Sequence, residues 1–319
     1  MQRNEPELPS WRDTAVRRKL LSFVEAVSDP SGASFVPEED RVAVFDFDGT
    51  LALENRGIAL PGWVEIELFR HLAEERFSGT PGAPALEMLD AYDRYTLETV
   101  EKKTAPFDED TYWKYYFGLI ALAVEGLTIG ETCALLRRQL HKPYCLGRSF
   151  YQSLFRPALE LAELLIRSGF GFYIVSGSNR SAIWTVAREF IRVGGRPLPY
   201  DRCIGADLAL RPRVTGEGRI RMEQCTEYVG INMRYDKCEN IARQIGRIPV
   251  FAIGNSMGDY EMLKWTSMNP RYPSMSVVFL HDDAEREYRY NDDRMRAAAT
   301  ENGWDVVSMK DDLAELYLP

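Results

Sequence analysis

Apolar residues are arranged along this chain in two ways, as short continuous runs and as longer runs with helical spacing. Residues 42–45 form a continuous run rich in Val and Phe, which predicts a buried strand. Residues 11–27 carry apolar side chains three and four positions apart, which predicts a helix that ends before a turn at 29–32. We therefore expect the chain to begin with a helix followed by a buried strand.

Residues 56–150 show helical spacing almost throughout. The pattern predicts helices over 63–77, 84–100, 111–127 and 131–141. Thr128 and Glu131 lie three positions apart, which is typical of a capping box at the start of the last helix. We expect a helical domain over 56–150, inserted into an α/β domain that comprises residues 1–55 and 151–319.

Strand and helix patterns alternate from residue 156 onward. The sequence predicts a helix over 156–168, a strand over 171–175, a helix over 181–193 and further strands near 250–253 and 276–280. Gly169 is placed to end the first of these helices. Strands that alternate with helices in this way predict an α/β fold with a mostly parallel sheet.

Composition narrows the classes of function. The 319 residues are 45% hydrophobic, which is enough for the core of one large domain or of two ordinary ones. The formal net charge of −9 argues against a nucleic-acid or anionic-membrane surface, because both partners favour a basic face. We therefore expect a small-molecule substrate, no nucleic-acid partner and no membrane partner. The sequence leaves the oligomeric state open.

The cysteines and the N-terminal residues bear on cellular location. The five cysteines are scattered and show no zinc-like spacing, which predicts reduced thiols. Residues 1–7 lack the apolar segment of a secretory signal, and the longest apolar stretch, 119–124, is too short to span a bilayer. We expect a cytoplasmic protein.

Two aspartates directly follow the first predicted strand. Asp46 and Asp48 precede a turn at Gly49-Thr50, and ligands of open α/β sheets bind beyond the carboxyl ends of strands. Side chains two positions apart leave a strand on the same side, where two negative charges require a neighbouring cation. Mg²⁺ is the expected cation because it prefers oxygen ligands. The alternative is a strand end with solvated aspartates and an ordinary glycine turn.

Three other segments are expected at the same edge of the sheet. Ser176 and Gly177 end a predicted strand and precede a helix, whose free N–H groups favour a phosphate. Lys237 opens another predicted helix and is the type of point charge that commonly holds phosphate. A later predicted strand ends in a glycine turn with oxygen ligands at Asn255 and Asp259. Each segment alone is more often an ordinary turn or a surface lysine, so their joint order carries the interpretation.

The order of these motifs resembles that of the haloacid dehalogenase (HAD) superfamily, in its phosphatase branch. The resemblance covers nearly the whole chain and rests on Asp46-x-Asp48-x-Thr50, Ser176, Lys237 and Gly254-Asn255-x-x-x-Asp259. The helices after the first motif are similar to the cap of phosphoserine-phosphatase-like members, and segments 8–11, 283–288 and 303–304 are similar to a largely uncharacterised bacterial group of HAD hydrolases. The resemblance implies a Rossmann-like, mostly parallel sheet core with an inserted α-helical cap domain.

The resemblance also implies roles for the motif residues. Asp46 is expected to be the nucleophile that forms an aspartyl-phosphate, and Asp48 to protonate the leaving alcohol and then deprotonate the attacking water. Thr50, Ser176 and the adjoining Gly177 are expected to bind the phosphoryl group. Lys237 is expected to offset charge on the phosphoryl oxygens and on the nucleophile.

The implied metal is Mg²⁺, held by Asp46, the Asp48 carbonyl and the loop with Asn255 and Asp259. Many members carry Asp where this chain has Asn255. Members that cleave C–Cl or C–P bonds lack an acid at the position of Asp48, so the resemblance disfavours both reactions here. The expected enzyme is a magnesium-dependent phosphatase that acts on a small phosphomonoester. The alternatives are a phosphotransferase or mutase that uses the same aspartyl-phosphate, and a catalytically inactive phosphate-binding regulatory protein.

Specificity is expected to lie in the cap. Glu54, just after the first motif, and the aromatic cluster within 112–116 are candidates for contacting the leaving group, and an acid with aromatic rings suits an amine-bearing phosphomonoester. Tyr112 and Tyr116 lie four positions apart on one helix face, which favours packing inside the cap instead. None of the three histidines lies in a motif, so none is assigned a catalytic role.

Overall fold

A seven-stranded sheet forms the centre of the fold in a computed structural model that describes residues 7–54, 64–290 and 293–318. The strands of the sheet are β1 (Val42–Phe45), β2 (Gly171–Asn179), β5 (Cys203–Val214), β6 (Ile220–Gly230), β7 (Phe251–Gly254), β8 (Met275–Leu280) and β9 (Asp305–Ser308). They lie in the order β6-β5-β2-β1-β7-β8-β9. All neighbours pair in parallel except β5 and β6, which form an antiparallel hairpin. The predicted α/β fold with a mostly parallel sheet is confirmed.

Helices cover both faces of this sheet. Ala43 and Phe45 belong to one apolar cluster, whereas Val42 and Val44 belong to another, because successive side chains of a strand point to opposite faces. The helices are α1 (Ala15–Ser28), α2 (Val64–Phe77), α3 (Pro84–Thr96), α4 (Glu109–Val124), α5 (Ile129–Gln139), α6 (Arg156–Arg167), α7 (Arg180–Phe190), α8 (Tyr235–Gln244), α9 (Tyr260–Ser267) and α10 (Asp293–Asn302). The continuous apolar sequence of β1 follows from this burial on both sides.

Helices α2 to α5, which we call the helical insert, follow β1 in the chain and precede β2. The capping box of Thr128 and Glu131 is present at the start of α5. The insert joins the hairpin β5–β6 through Gln224, whose backbone N–H donates to the Leu127 carbonyl at 2.8 Å and whose carbonyl accepts from the Gly126 N–H at 3.0 Å. The predicted domain boundary at residue 56, like the predicted start of α2 at residue 63, lies outside the described residues. The division into residues 1–55, 56–150 and 151–319 stays a prediction.

Several elements differ from those predicted. The helix predicted over 181–193 ends at Phe190, because Gly194 and Gly195 adopt positive φ and allow residues 192–193 to pair with 196–197 as the short strands β3 (Arg192–Val193) and β4 (Arg196–Pro197). The helix predicted over 84–100 ends at Thr96 and continues as a wider π-type turn. Strand β2 extends beyond residue 175, and the hairpin β5–β6 was not predicted.

The described helices and cysteines bear on the expectations about location. No single described helix is long and apolar enough to cross a membrane. Helices α4 and α5 reach that length and apolarity only as a pair, and they are bent by 107° relative to each other. All five cysteines are free thiols, as their spacing predicts.

Candidate active site

A cavity of about 90 Å³ lies beyond the carboxyl ends of β1, β2 and β7. Every predicted site residue except Thr50 and Asn255 lines it, and Met233, Ser256 and Gly258 complete the lining. Open α/β sheets bind ligands at this edge because the loops that leave neighbouring parallel strands converge there. The four separate sequence motifs therefore meet at one place.

Lys237 joins two of the carboxylates. Its Nζ donates to Oδ1 of Asp46 and to Oδ1 of Asp259, each at 2.6 Å, and all three side chains are buried. Burial raises the pKa of Asp46, the carboxylate of Asp259 raises it further, and the ammonium of Lys237 opposes both effects. Burial lowers the pKa of Lys237, but the two carboxylates outweigh this effect and raise it above its ordinary value. Lys237 therefore keeps its charge beside a poorly solvated carboxylate, the arrangement expected around a buried nucleophile.

Asp259 also shapes the loop that follows β7. Its Oδ2 accepts from the backbone N–H groups of Asn255 at 3.0 Å and Ser256 at 3.1 Å. A Cβ at Gly254 would lie 2.5 Å from Cγ of Asp259, so the close approach requires glycine. Asp259 therefore connects this loop with Lys237, and Lys237 in turn contacts Asp46.

Two serine hydroxyls hold Asp48. Oδ2 of Asp48 accepts from Oγ of Ser178 at 2.6 Å and from Oγ of Ser176 at 3.3 Å. Ser178 was not predicted, although it lies two positions after Ser176 and the period of a strand places such residues on one side. The extension of β2 to residue 179 brings both hydroxyls to Asp48.

The turn at Gly49-Thr50 packs tightly against the loop after β7. Gly49 has a φ of +74°, and a Cβ there would lie 1.9 Å from Nδ2 of Asn255, so no other residue fits. The Thr50 side chain is fully buried, and its hydroxyl has no hydrogen-bond partner among the described residues. That hydroxyl is available to a phosphoryl oxygen, as the predicted role requires.

Asn255 contacts the wall of the site rather than the cavity. Its Nδ2 donates to the Tyr290 hydroxyl at 2.8 Å and to Oε2 of Glu54 at 3.3 Å, and the same hydroxyl donates to Glu54 at 2.8 Å. Because the amide nitrogen has these partners, the oxygen of Asn255 is the side-chain atom suited to a cation. Tyr290 is a second residue that the sequence analysis missed.

His281 supports the same turn from behind. Its buried ring donates from Nε2 to the Gly49 carbonyl at 2.7 Å, because a carbonyl only accepts, and its Nδ1 lies 2.6 Å from Oε2 of Glu287. The ring stacks on Tyr290 with centroids 4.3 Å apart. His281 directly follows β8, so the strand-end rule that singled out Asp46 was the signal for it. The prediction that no histidine is catalytic stays a prediction, and in the structure His281 supports the turn at Gly49 from behind.

Glu65, in the first turn of α2, is a carboxyl group that the sequence analysis missed. It is buried, and it accepts hydrogen bonds from the Tyr116 hydroxyl at 2.6 Å and from the Asn179 backbone N–H. Burial raises the pKa of Glu65 to about 8, the hydrogen bond from Tyr116 opposes this, and the charge of Asp48 raises the pKa further. Glu65 therefore holds a proton at neutral pH.

The raised pKa of Glu65 predicts how folding stability depends on pH. The folded protein keeps this proton up to about pH 8, whereas the unfolded chain releases it near the ordinary value of 4.5. The folded state binds more protons between these values, so the free energy of unfolding should fall as pH rises, by at most about 1.4 kcal/mol per pH unit from this group. Urea unfolding of wild type and Glu65→Gln across this range tests it. We expect the stability difference to shift in favour of Glu65→Gln with rising pH, and a constant difference would contradict the assignment.

The aromatic candidates for substrate contact lie inside the insert. Tyr112 and Tyr116 are buried and pack against Tyr92, with ring centroids 5.9 and 6.4 Å away. Trp113 and Tyr115 are partly buried against the same cluster. None of the four cluster residues lines the cavity, so the packing interpretation accounts for them, and Glu54 is the predicted specificity residue that the cavity contains.

The oxygen donors around the cavity fit a hard divalent cation. The described residues contain no group of three His, Cys, Asp or Glu side chains arranged as a metal site. Four carboxyl groups nevertheless line the cavity with Lys237 as the one cation among its lining residues; they belong to Asp46, Asp48, Glu54 and Asp259. Mg²⁺ commonly uses one or two carboxylates and completes its coordination with carbonyl, water and phosphate oxygens. This donor set therefore fits Mg²⁺.

Comparison with known proteins gives one family and a shared fold. The family model of haloacid dehalogenase-like hydrolases matches residues 43–264. A conserved, functionally unknown protein from Anaerococcus prevotii DSM 20548 is similar in structure, with a TM-score of 0.54 and 13% identity over 94% of each chain. A phosphoserine phosphohydrolase-like protein from Francisella tularensis subsp. tularensis SCHU S4 is 15% identical over 84% of this chain and 94% of its own, with a TM-score of 0.41. No curated protein matches this chain.

Proposed function

Because the chain belongs to the haloacid dehalogenase-like hydrolases, we propose that it is a magnesium-dependent phosphatase that hydrolyses a small phosphomonoester through an aspartyl-phosphate on Asp46. The observation that carries this proposal is the meeting of a buried carboxylate, a paired lysine and a second aspartate around one small cavity. Its volume of about 90 Å³ is far below the roughly 300 to 1,000 Å³ of pockets that enclose drug-sized ligands. A phosphoryl group is the size of ligand that suits it.

In the proposed first step, a carboxylate oxygen of Asp46 attacks phosphorus and the bond from phosphorus to the leaving alcohol breaks. Asp48 gives its proton to the departing oxygen, which spares the formation of an alkoxide. Lys237 lies against Asp46 and offsets the negative charge that gathers on the phosphoryl oxygens. The hydroxyls of Thr50 and Ser176, with Gly177, bind those oxygens.

In the proposed second step, water attacks the aspartyl-phosphate and Asp48 takes up the proton of that water. Phosphate leaves and the carboxylate of Asp46 is restored, so each proton that Asp48 donates is recovered. Ser176 and Ser178 hold Asp48 by hydrogen bonds in the structure. When bound, Mg²⁺ would orient the phosphoryl group and neutralise its charge, held by Asp46, the Asp48 carbonyl, Asn255 and Asp259.

We assign specificity to residues 56–150 as a cap domain and to Glu54. Glu54 lines the cavity and its Oε2 is fixed by Tyr290 and Asn255, so its charge has a defined position. A carboxylate at the cavity suits a leaving group that carries an amine. We also propose a cytoplasmic location, because all five cysteines are free thiols.

A panel of small phosphorylated metabolites, with detection of released phosphate, tests the proposed function. We expect Mg²⁺-dependent release from at least one small phosphomonoester. Product analysis with added alcohols separates hydrolysis from phosphoryl transfer, because a transferase would make a new ester instead of phosphate. Failure to turn over any panel member or para-nitrophenyl phosphate would favour an inactive regulatory protein.

The loop after β7 predicts how Mg²⁺ affinity changes in variants. Asn255→Asp adds one negative charge to the proposed metal site. Two unit charges about 4 Å apart interact by roughly 4 kcal/mol at an effective dielectric of 20, and even about 1.4 kcal/mol of this changes affinity tenfold. Asp259→Ala removes one of the two carboxylate partners of Lys237 and two backbone hydrogen bonds, so it should be more damaging than Asn255→Ala.

Mg²⁺ titrations of activity and of melting temperature measure these effects. We expect a lower half-saturating Mg²⁺ concentration for Asn255→Asp than for wild type. If Asn255→Asp leaves both titrations unchanged and Asp259→Ala behaves like wild type, this loop does not hold the metal.

A further inference from the structure

The buried carboxyl of Glu65 lies outside the cavity lining but is connected to Asp48 through two consecutive residues. Oγ of Ser178 donates to Oδ2 of Asp48 at 2.6 Å, and the backbone N–H of the next residue, Asn179, donates to Oε2 of Glu65. The peptide that joins Ser178 and Asn179 is thus held by the core on one side and by the insert on the other.

The same short segment is closely packed by other elements. A Cβ at Gly205 of β5 would lie 2.6 Å from the Ser178 carbonyl oxygen, so β5 approaches the segment as closely as glycine allows. The Asn179 side chain caps α7 by accepting from the Ser181 N–H at 3.0 Å. Close packing transmits displacements to neighbouring groups, so loss of the Glu65 contact should displace the Ser178 hydroxyl.

A carboxyl is a costly group for a buried structural contact. None of the described Lys, Arg and His side chains forms an ion pair with Glu65. Burial removes water from its carboxyl group and thereby raises the pKa of Glu65. Such perturbed groups cluster at functional sites. The other titratable groups that face Glu65 are Asp48, Tyr112 and Tyr116 of α4, and Tyr228 of β6.

We propose that Glu65 is a positioning residue for the acid and base steps, because it holds the Ser178–Asn179 segment where the Ser178 hydroxyl orients the carboxyl of Asp48. The inference rests on the proposed function, in which Asp48 donates and recovers a proton. It gives the helical insert a part in the chemistry, since Glu65 belongs to the first turn of α2. The geometry of Asp48 then depends on the contact between Glu65 of α2 and Asn179 at the end of β2.

Leaving-group dependence distinguishes this role from a structural one. Alkyl phosphates need a proton on the departing oxygen, whereas para-nitrophenolate leaves without one. Glu65→Ala should therefore lower kcat/KM for an alkyl phosphate by about tenfold or more, because part of the roughly 10²- to 10⁴-fold contribution of general acid–base catalysis is lost. For para-nitrophenyl phosphate, kcat/KM should fall by at most about threefold. Glu65→Gln can accept from Asn179 and donate to Tyr116, so it should restore most of the lost activity.

The controls use residues in matched positions. Glu67→Ala alters the same turn of α2, where the partly buried Glu67 pairs with Arg70 at 3.0 Å, and it should retain wild-type kinetics with both esters because Glu67 does not contact Asn179 or Asp48. Ser178→Ala removes the hydroxyl that contacts Asp48 and should show the same leaving-group dependence as Glu65→Ala. It also keeps the inference testable if Glu65→Ala does not fold, because it leaves the Glu65 contacts in place.

The decisive comparison adds Glu65→Ala to Ser178→Ala. If Glu65 acts through Ser178, the second change should cost less than about twofold beyond the first. The inference would be overturned if Glu65→Ala lost equal activity with both esters, or if Glu65→Gln did not restore activity. It would also be overturned if the loss in the double variant equalled the product of the two single losses. Each of these results would leave the phosphatase assignment intact. Absence of turnover by the wild type with either ester would overturn the proposed function and this inference with it.

Discussion

Replacing Asp46 by asparagine is expected to abolish turnover while leaving the fold intact. An amide is not a competent nucleophile toward phosphorus, so neither the aspartyl-phosphate nor the product forms. The substitution nearly conserves volume, and the amide oxygen can still accept from Lys237, whose Nζ lies 2.6 Å from Oδ1 of Asp46. Phosphate release measures the loss, and circular dichroism with thermal melting measures the fold.

Asp40→Asn is the matched control for this substitution. Asp40 lies just before β1, at the opposite end of the strand from Asp46, and pairs with Arg247 at 2.9 Å. Its replacement should leave turnover unchanged because it is remote from the cavity. Phosphate release at the wild-type rate by Asp46→Asn would remove Asp46 from the mechanism.

Asp48→Asn has the second-largest expected effect, a loss of about 10²- to 10⁴-fold with alkyl phosphates, because general acid–base catalysis contributes about that much. The loss should be smaller with para-nitrophenyl phosphate, whose leaving group needs no proton. With that ester the phosphoryl-enzyme should also accumulate, since the base that activates water is missing. Steady-state kinetics with the two esters and rapid-quench measurement of bound phosphate record both effects.

An equal loss with both esters would count against the acid role of Asp48. It would indicate instead that the substitution disturbs the site as a whole. We expect the site to keep its geometry, because an asparagine oxygen can accept from the hydroxyls of Ser176 and Ser178, which lie 3.3 and 2.6 Å from Oδ2 of Asp48.

Asp46 and Asp48 could be identified from the sequence because their signal is local. A buried strand of four apolar residues ends on them, and the carboxyl end of a central parallel strand is where such folds bind ligands. The same rule placed Asp259 beside them. Lys237 was predicted from its position at the start of a helix, and in the structure its Nζ lies 2.6 Å from Oδ1 of Asp259. Local pattern and sheet topology together sufficed for these residues.

Glu65, Ser178 and His281 escaped prediction because their roles depend on contacts between distant parts of the chain. Glu65 meets Asn179, 114 positions later, and His281 meets Gly49, 232 positions earlier. No local period encodes such a pairing. His281 was nonetheless within reach of the strand-end rule, had β8 been considered alongside β1.

The hairpin β5–β6 was missed for a different reason. Its strands are rich in arginine and glutamate, and several of its apolar side chains are exposed, such as Val214 at 68% and Ile220 at 72%. The register pairs Val214 with Ile220 and Pro212 with Met222 across the strands, so the period of two was present in the sequence. The many charged residues made this alternation hard to recognise in the sequence. The two strands flank a turn rich in glycine at 216–218.

The central claim is that Asp46 becomes covalently phosphorylated, and trapping that intermediate tests it most directly. Wild type and Asp48→Asn are mixed with para-nitrophenyl phosphate, quenched in acid within a turnover, digested and analysed by mass spectrometry. We predict a phosphoryl group on the carboxylate of Asp46, more abundant in Asp48→Asn than in wild type. Turnover with no phosphorylated peptide in either protein, or with the phosphoryl group on another residue, would contradict the account.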